Sequence, residues 1–151
     1  MSNFNKKGEF DERQLWIRGN IFKHMFLIAA FLLLSNACLV KLDIIWADGF
    51  YSNLIILFAA VAVGSIEMIF REVYFQTPGQ QWIIGIIGLS PVLLFVMNII
   101  HLISGEKFIS NGALTEAGGS LIYSVLLLSI SIGWIIKQLR DKFRIRKSNA
   151  D

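Results

Sequence analysis

Few residues in this chain have side chains able to do chemistry, and those few stand in apolar surroundings. Glu67 is the sharpest. It lies in the apolar run from Asn53 to Phe70, where a carboxylate is costly unless it is paired, hydrated or turned toward other helices. Asn53, Ala60, Gly64, Glu67 and Arg71 recur at helical spacing, and at about 100° per residue they share a strip roughly 60° wide. Arg71, four residues on, offers Glu67 an i,i+4 ion pair, and Lys23 offers a second cation at the same membrane interface. The place of Glu67 near the end of its run favours this pairing. The alternative is a proton or cation site.

Asn36, Asn98 and His101 form a second group, each in the outer half of its own apolar run. One reading lets them line a small outward-facing polar pocket, with His101 titrating near neutral pH. The simpler reading makes the two asparagines hydrogen bonds between helices, each worth about 1 kcal/mol, and leaves His101 among the headgroups. Beyond these groups no catalytic set is present. There is no G-x-S-x-G, no H-E-x-x-H and no carboxylate pair within one span, and the glycines from Gly105 to Gly119 do not form a phosphate-cradling motif. His24 and His101 are expected on opposite sides of the membrane, so no shared metal is expected, and no cofactor. Cys38 is the single cysteine, which excludes an intrachain disulfide and any Cys-based metal spacing.

The elements that must position these residues are membrane helices. The chain has 151 residues, 55% hydrophobic and only 17% charged, with mean hydropathy +0.61. Its charges crowd between long uncharged blocks, the distribution of a polytopic membrane protein. The net charge of +3 sits at span ends and signals topology rather than nucleic acid. A single membrane domain over 1–151 is expected, an all-α bundle of four spans at about 22–40, 53–70, 82–103 and 120–136. Segment 10–20, FDERQLWIRGN, reads as a short amphipathic helix at the membrane surface, with Asp11 and Glu12 favouring its initiation. The first apolar block faintly resembles a lipoprotein cleavage box ending at Cys38 and is expected to be retained as a span. Thr77-Pro78-Gly79 marks a turn before the third span, and Pro91 should kink that span. The stretch 104–119 reads as a polar, Gly-rich loop.

Two strips of small residues suit close helix contact. Ala60 and Gly64 lie on the Glu67 strip. Ser120, Ser124 and Ser131 lie on the fourth span, where Ala117, Ser124, Ser131 and Gln138 repeat every seven residues, a spacing suited to a crossing of about 20°. The expected partner of the first strip is the fourth span or a second copy of the chain. Orientation follows from the basic residues. With both termini cytoplasmic, 1–21, 71–81 and 137–151 are inside with the span-end cations, and 41–52 and 104–119 are outside. Twelve of the fourteen Lys and Arg then lie inside, and only Lys41 and Lys107 outside, as the positive-inside rule requires. The basic tail 137–147 suits anionic lipid or an acidic cytoplasmic partner.

The lead Asp11-Glu12-Arg13 followed by Ile17-Arg18-Gly19-Asn20, entering directly into a first span, resembles small uncharacterised four-span membrane proteins of Gram-positive bacteria. That resemblance implies a bacterial plasma-membrane location and brings no site residues. The expected function is therefore non-enzymatic: an accessory or regulatory subunit, or an immunity-type membrane protein, acting through protein partners or as a homo-oligomer. The alternative is a small oligomeric transporter or channel using Glu67 or the Asn36/Asn98/His101 group.

Overall fold

A computed structural model describes residues 10–74 and 89–148. They form four helices and one small hairpin: α1 Glu12–Lys41, α2 Gly49–Phe70, α3 Leu89–Ile103, strands β1 Ile109–Ser110 and β2 Ala113–Leu114, and α4 Glu116–Ser148. Three helices are long and apolar enough to cross a membrane, over Glu12–Lys41, Gly49–Phe70 and Glu116–Arg144, and the fourth, over Ser90–Ile103, is apolar but shorter among the described residues. At 1.5 Å per residue, α2 is about 33 Å long, matching a hydrocarbon core of about 30 Å.

Local chemistry sets the helix ends. Asp11 caps α1 through a capping box in which its carboxylate accepts from the Gln14 N–H and the Gln14 side chain accepts from the Asp11 N–H. Asp48 accepts from the Phe50 N–H at the start of α2. The carboxyl ends of α1, α2 and α3 each close in a Schellman-type turn, with Asp43, Glu72 and Gly105 at positive φ. In each, the following N–H (Ile44, Val73, Glu106) returns to a carbonyl five residues back (Leu39, Met68, His101). The expected separate surface helix over 10–20 is corrected here. With a strong cap at Asp11, and Gly19 as a lone glycine costing only about 1 kcal/mol, the helix runs unbroken from Glu12 to Lys41.

The hairpin is a second departure. Segment 104–119 was expected as loop, yet Ile109 pairs with Leu114 and Ser110 with Ala113 across Asn111-Gly112. Both turn residues have positive φ, the geometry of the two-residue turn that Asn-Gly favours. Leu114 also bonds the 42–48 loop, donating to Trp46 O at 2.8 Å.

Helix packing places α2 centrally, with α1 on one face and α4 on another, and α3 against α4. In the most apolar window of α2, 44% of residues are buried, against 6% for α1. α1 and α2 are antiparallel: Arg18 reaches Val73, and Asn36 reaches Asn53. α2 and α4 run parallel, with Phe58 edge-on to Tyr123 at 4.7 Å, Ile66 against Gly133 and Arg140 over Phe70. The molecule therefore has a hairpin end, with both loops 42–48 and 104–115, and a tail end, with the start of α1, the end of α2 and the basic end of α4. Trp82, Thr77-Pro78-Gly79 and the first part of the expected third span lie outside the described residues, as does the carbonyl on which a kink at Pro91 would depend.

Candidate functional site

At the tail end, Glu67 is brought to α1. Arg71 Nε lies 2.8 Å from Glu67 Oε1, as the i,i+4 spacing requires, and His24 Nδ1 lies 3.7 Å from Oε2. The Glu67 side chain is 25% exposed, so it sits at the margin of the packed helices. Lys23 is corrected: it is exposed and makes no ion pair among the described residues. One residue is 100° of helix rotation, and that rotation turns His24 rather than Lys23 toward Glu67.

The rest of the Glu67 strip also faces α1 rather than α4. Gly64 is held directly against Met25, where an added Cβ would overlap its Sδ and Cγ. Asn53 Oδ1 accepts from Asn36 Nδ2 at 3.4 Å, and Ala60, between these contacts, is buried. Below them Ile21, Met68 and Val73 form a buried cluster with Met25 and Ile17 packed on it. The α4 strip does something else. Ser124 is wholly buried and donates to Leu121 O, Ser131 is half-buried, and Ser120 lines a cleft shared with α3. The contacts of α4 with α2 run instead through Gly119, pressed on Tyr51, and Gly133, against Ile66.

At the hairpin end, the expected trio of Asn36, Asn98 and His101 is divided. Asn36 belongs to the α1–α2 seam. It is 8% exposed and accepts from Trp46 Nε1 at 2.7 Å while donating to Asn53. Asn98 and His101 lie on α3 and line a cleft of about 440 Å³ between α3 and α4. Asn98 is 5% exposed and donates to Leu94 O at 2.8 Å. His101 Nδ1 sits 2.9 Å from Glu106 Oε1, because the turn at Gly105 folds Glu106 back beneath it. Depth in the chain places all three residues at this end, but lateral position separates Asn36 from the others.

Sequence reasoning missed Tyr51, Glu106 and Glu116 in this cleft. Tyr51 donates to Glu116 Oε1 at 3.4 Å, and Thr115 anchors the start of α4, its hydroxyl donating to Lys107 O and accepting from the Gly118 N–H. The signal for this placement was the Asn111-Gly112 turn, which pulls both ends of 104–119 together.

Beyond the apolar 120–136 stretch of α4, Lys137 bridges two carboxylates, Glu72 Oε1 at 2.9 Å and Asp141 Oδ2 at 2.7 Å. The hydrogen bond from Lys137 holds the Asp141 carboxyl below its ordinary value, with the positive charges of Lys137, Arg140 and Arg144 acting in the same sense. Among the described residues, no three His, Cys, Asp or Glu side chains gather closely enough to hold a metal ion. No protein-family model, curated protein or solved structure matches this chain.

Proposed function

We propose that this protein is a four-span integral protein of a bacterial cytoplasmic membrane, both termini cytoplasmic, that acts through protein partners rather than by catalysis. An accessory or regulatory subunit and an immunity-type protein both fit. One observation carries the reading. The polar groups of α1 and α2 that lie along their seam are engaged with each other, while most of the apolar surface of α1 is uncovered. Asn36, Asn53 and Trp46 close one end of the seam, and His24, Glu67 and Arg71 the other. Between them the buried positions of α2 are Ile55, Ile56, Ala60, Ala62, Gly64 and Ser65, which offer little to a hydrated path. Phe22, Phe26, Phe31 and Leu34 are all at least half exposed and present a face to lipid or to another helix.

Orientation is supported by the twelve-to-two distribution of Lys and Arg, and location by the resemblance of the D-E-R lead. The helical continuation of α4 carries Arg140, Lys142 and Arg144 past the apolar stretch, where contact with anionic headgroups contributes about 1 kcal/mol per cation. Purification in mild detergent from native membranes tests the reading: a second protein should co-purify reproducibly, and a chain isolated alone overturns it.

The second reading is a small oligomeric transporter or channel. The partial burial of Glu67 and the cleft at the hairpin end favour it, and four short spans would need at least a second copy to enclose a path. It predicts a proton- or cation-dependent flux in reconstituted vesicles that Glu67→Gln abolishes. Absent flux, or flux indifferent to that change, removes it.

A further inference from the structure

We propose that the cleft between α3 and α4 at the hairpin end binds a small organic ammonium ion, with its charged head at Glu106 and Glu116 and an apolar body against Leu94 and Met97. The cleft is large for an ion and ordinary for a small molecule. Its volume of about 440 Å³ falls within the roughly 300–1,000 Å³ of ligand pockets. A bare metal ion is a poor occupant, because no three ligating side chains converge among the described residues.

The lining determines the sign of the ligand. Among the described residues it holds two carboxylates, Glu106 and Glu116, and no Lys or Arg. Among the described residues no Lys or Arg pairs with either carboxylate, and the imidazole of His101 is the one titratable base beside them. Glu106 is held by His101 Nδ1 at 2.9 Å and Glu116 by the Tyr51 hydroxyl at 3.4 Å, and these bonds orient the carboxylates while leaving further acceptor sites on each. A third acceptor lies deeper. Asn98 is the most buried polar residue of the lining, 5% exposed. Its amide nitrogen is engaged by Leu94 O, while among the described residues no donor reaches its carbonyl oxygen. An ammonium group supplies N–H donors to the acceptor sites these three groups leave open, and Leu94 and Met97 provide the apolar wall that a hydrated metal ion would not use. The Tyr51 ring adds an aromatic surface of the kind that attracts cations.

The site rests on the cleft alone and does not depend on the partner reading: ligand binding and co-purification can fail separately. Isothermal titration calorimetry on the full chain in detergent tests it, with benzylammonium as the probe, benzyl alcohol as its neutral counterpart, and empty micelles titrated in parallel to remove partitioning. Benzylammonium should bind saturably, about tenfold or more tighter than benzyl alcohol. Glu106→Gln and Glu116→Gln should each weaken it about threefold or more, while Glu72→Gln, at the opposite end, should not. Equal binding of the alcohol, no saturable binding to the wild-type chain, or binding unchanged in both cleft variants overturns the proposal. The wild-type comparison keeps this test decisive even where a variant misfolds.

Discussion

The contact between Gly64 and Met25 makes a quantitative prediction about which helix the small strip of α2 serves. A Cβ at position 64 would overlap Met25 Sδ and Cγ and sit 3.2 Å from its Cε, so all three outer atoms of the thioether are crowded at once. Met25 has the freedom to swing aside, but its place on the Ile21–Met68–Val73 cluster would then be vacated. Overpacking of this kind costs about 1–3 kcal/mol, offset by the roughly 1 kcal/mol that alanine gains over glycine inside a helix. Gly64→Ala should therefore destabilise by about 0–2 kcal/mol. Met25→Ala alone removes a half-buried side chain and should cost about 1–2 kcal/mol, below the 2–5 kcal/mol of a fully buried methionine. In the double variant the overlap is gone, so the two costs should fall short of their sum by about 1–2 kcal/mol. Reversible unfolding in mixed micelles with increasing dodecyl sulfate, followed by circular dichroism, measures all four corners of the cycle. Additivity within about 0.5 kcal/mol, or a change in oligomeric state without a change in folding, would refute the assignment of this strip to α1.

Three further outcomes follow from the same geometry. Asn36→Leu removes the acceptor of Trp46 Nε1 and the donor to Asn53, and in the same unfolding assay should cost about 1–3 kcal/mol; a neutral effect would mean the seam does not need these bonds. Asp141 has a folded pKa below its ordinary value, so its contribution is present above the unfolded value and lost as pH falls through the folded one. The carboxyl carbon of Asp141, followed by NMR, should accordingly titrate below the usual carboxylate range and move back up in Lys137→Met; an unchanged midpoint would exclude the Lys137 bridge. With Cys38 replaced by serine, single cysteines at Asp43 and Asn111 should react with an impermeant maleimide in intact cells, and one at Lys142 only after permeabilisation. The reverse pattern would invert the proposed orientation.

Helix positions were legible because apolar runs and caps are one-dimensional signals. Asp11 was expected to favour initiation, whereas the Asp48 cap that starts α2 ahead of 53 was not read, and the 100° periodicity of Asn53 to Arg71 marked one face of α2. The partner of that face was not legible. Small residues permit close approach without specifying by what, and the expected partners, the fourth span or a second copy, did not include α1. Depth was likewise readable and azimuth was not. Asn36, Asn98 and His101 all lie at the hairpin end, but the α1–α2 seam and the α3–α4 cleft are different places around the molecule. Lys23 and His24 differ by a single residue of rotation, too fine for an approximate strip to resolve. The cleft carboxylates Glu106 and Glu116 were hidden for another reason. They line one cleft because a hairpin closes the segment between them, and reading 104–119 as plain loop passed over the Asn111-Gly112 signal.

The central claim, that the uncovered face of α1 serves a protein partner, is tested most directly by a photoreactive benzoylphenylalanine placed at Phe31, which is 70% exposed. Irradiation in living cells should give one discrete adduct between this chain and a different polypeptide, absent when the probe replaces buried Ile21. Adducts to lipid alone, or solely to a second copy of the chain, would contradict it.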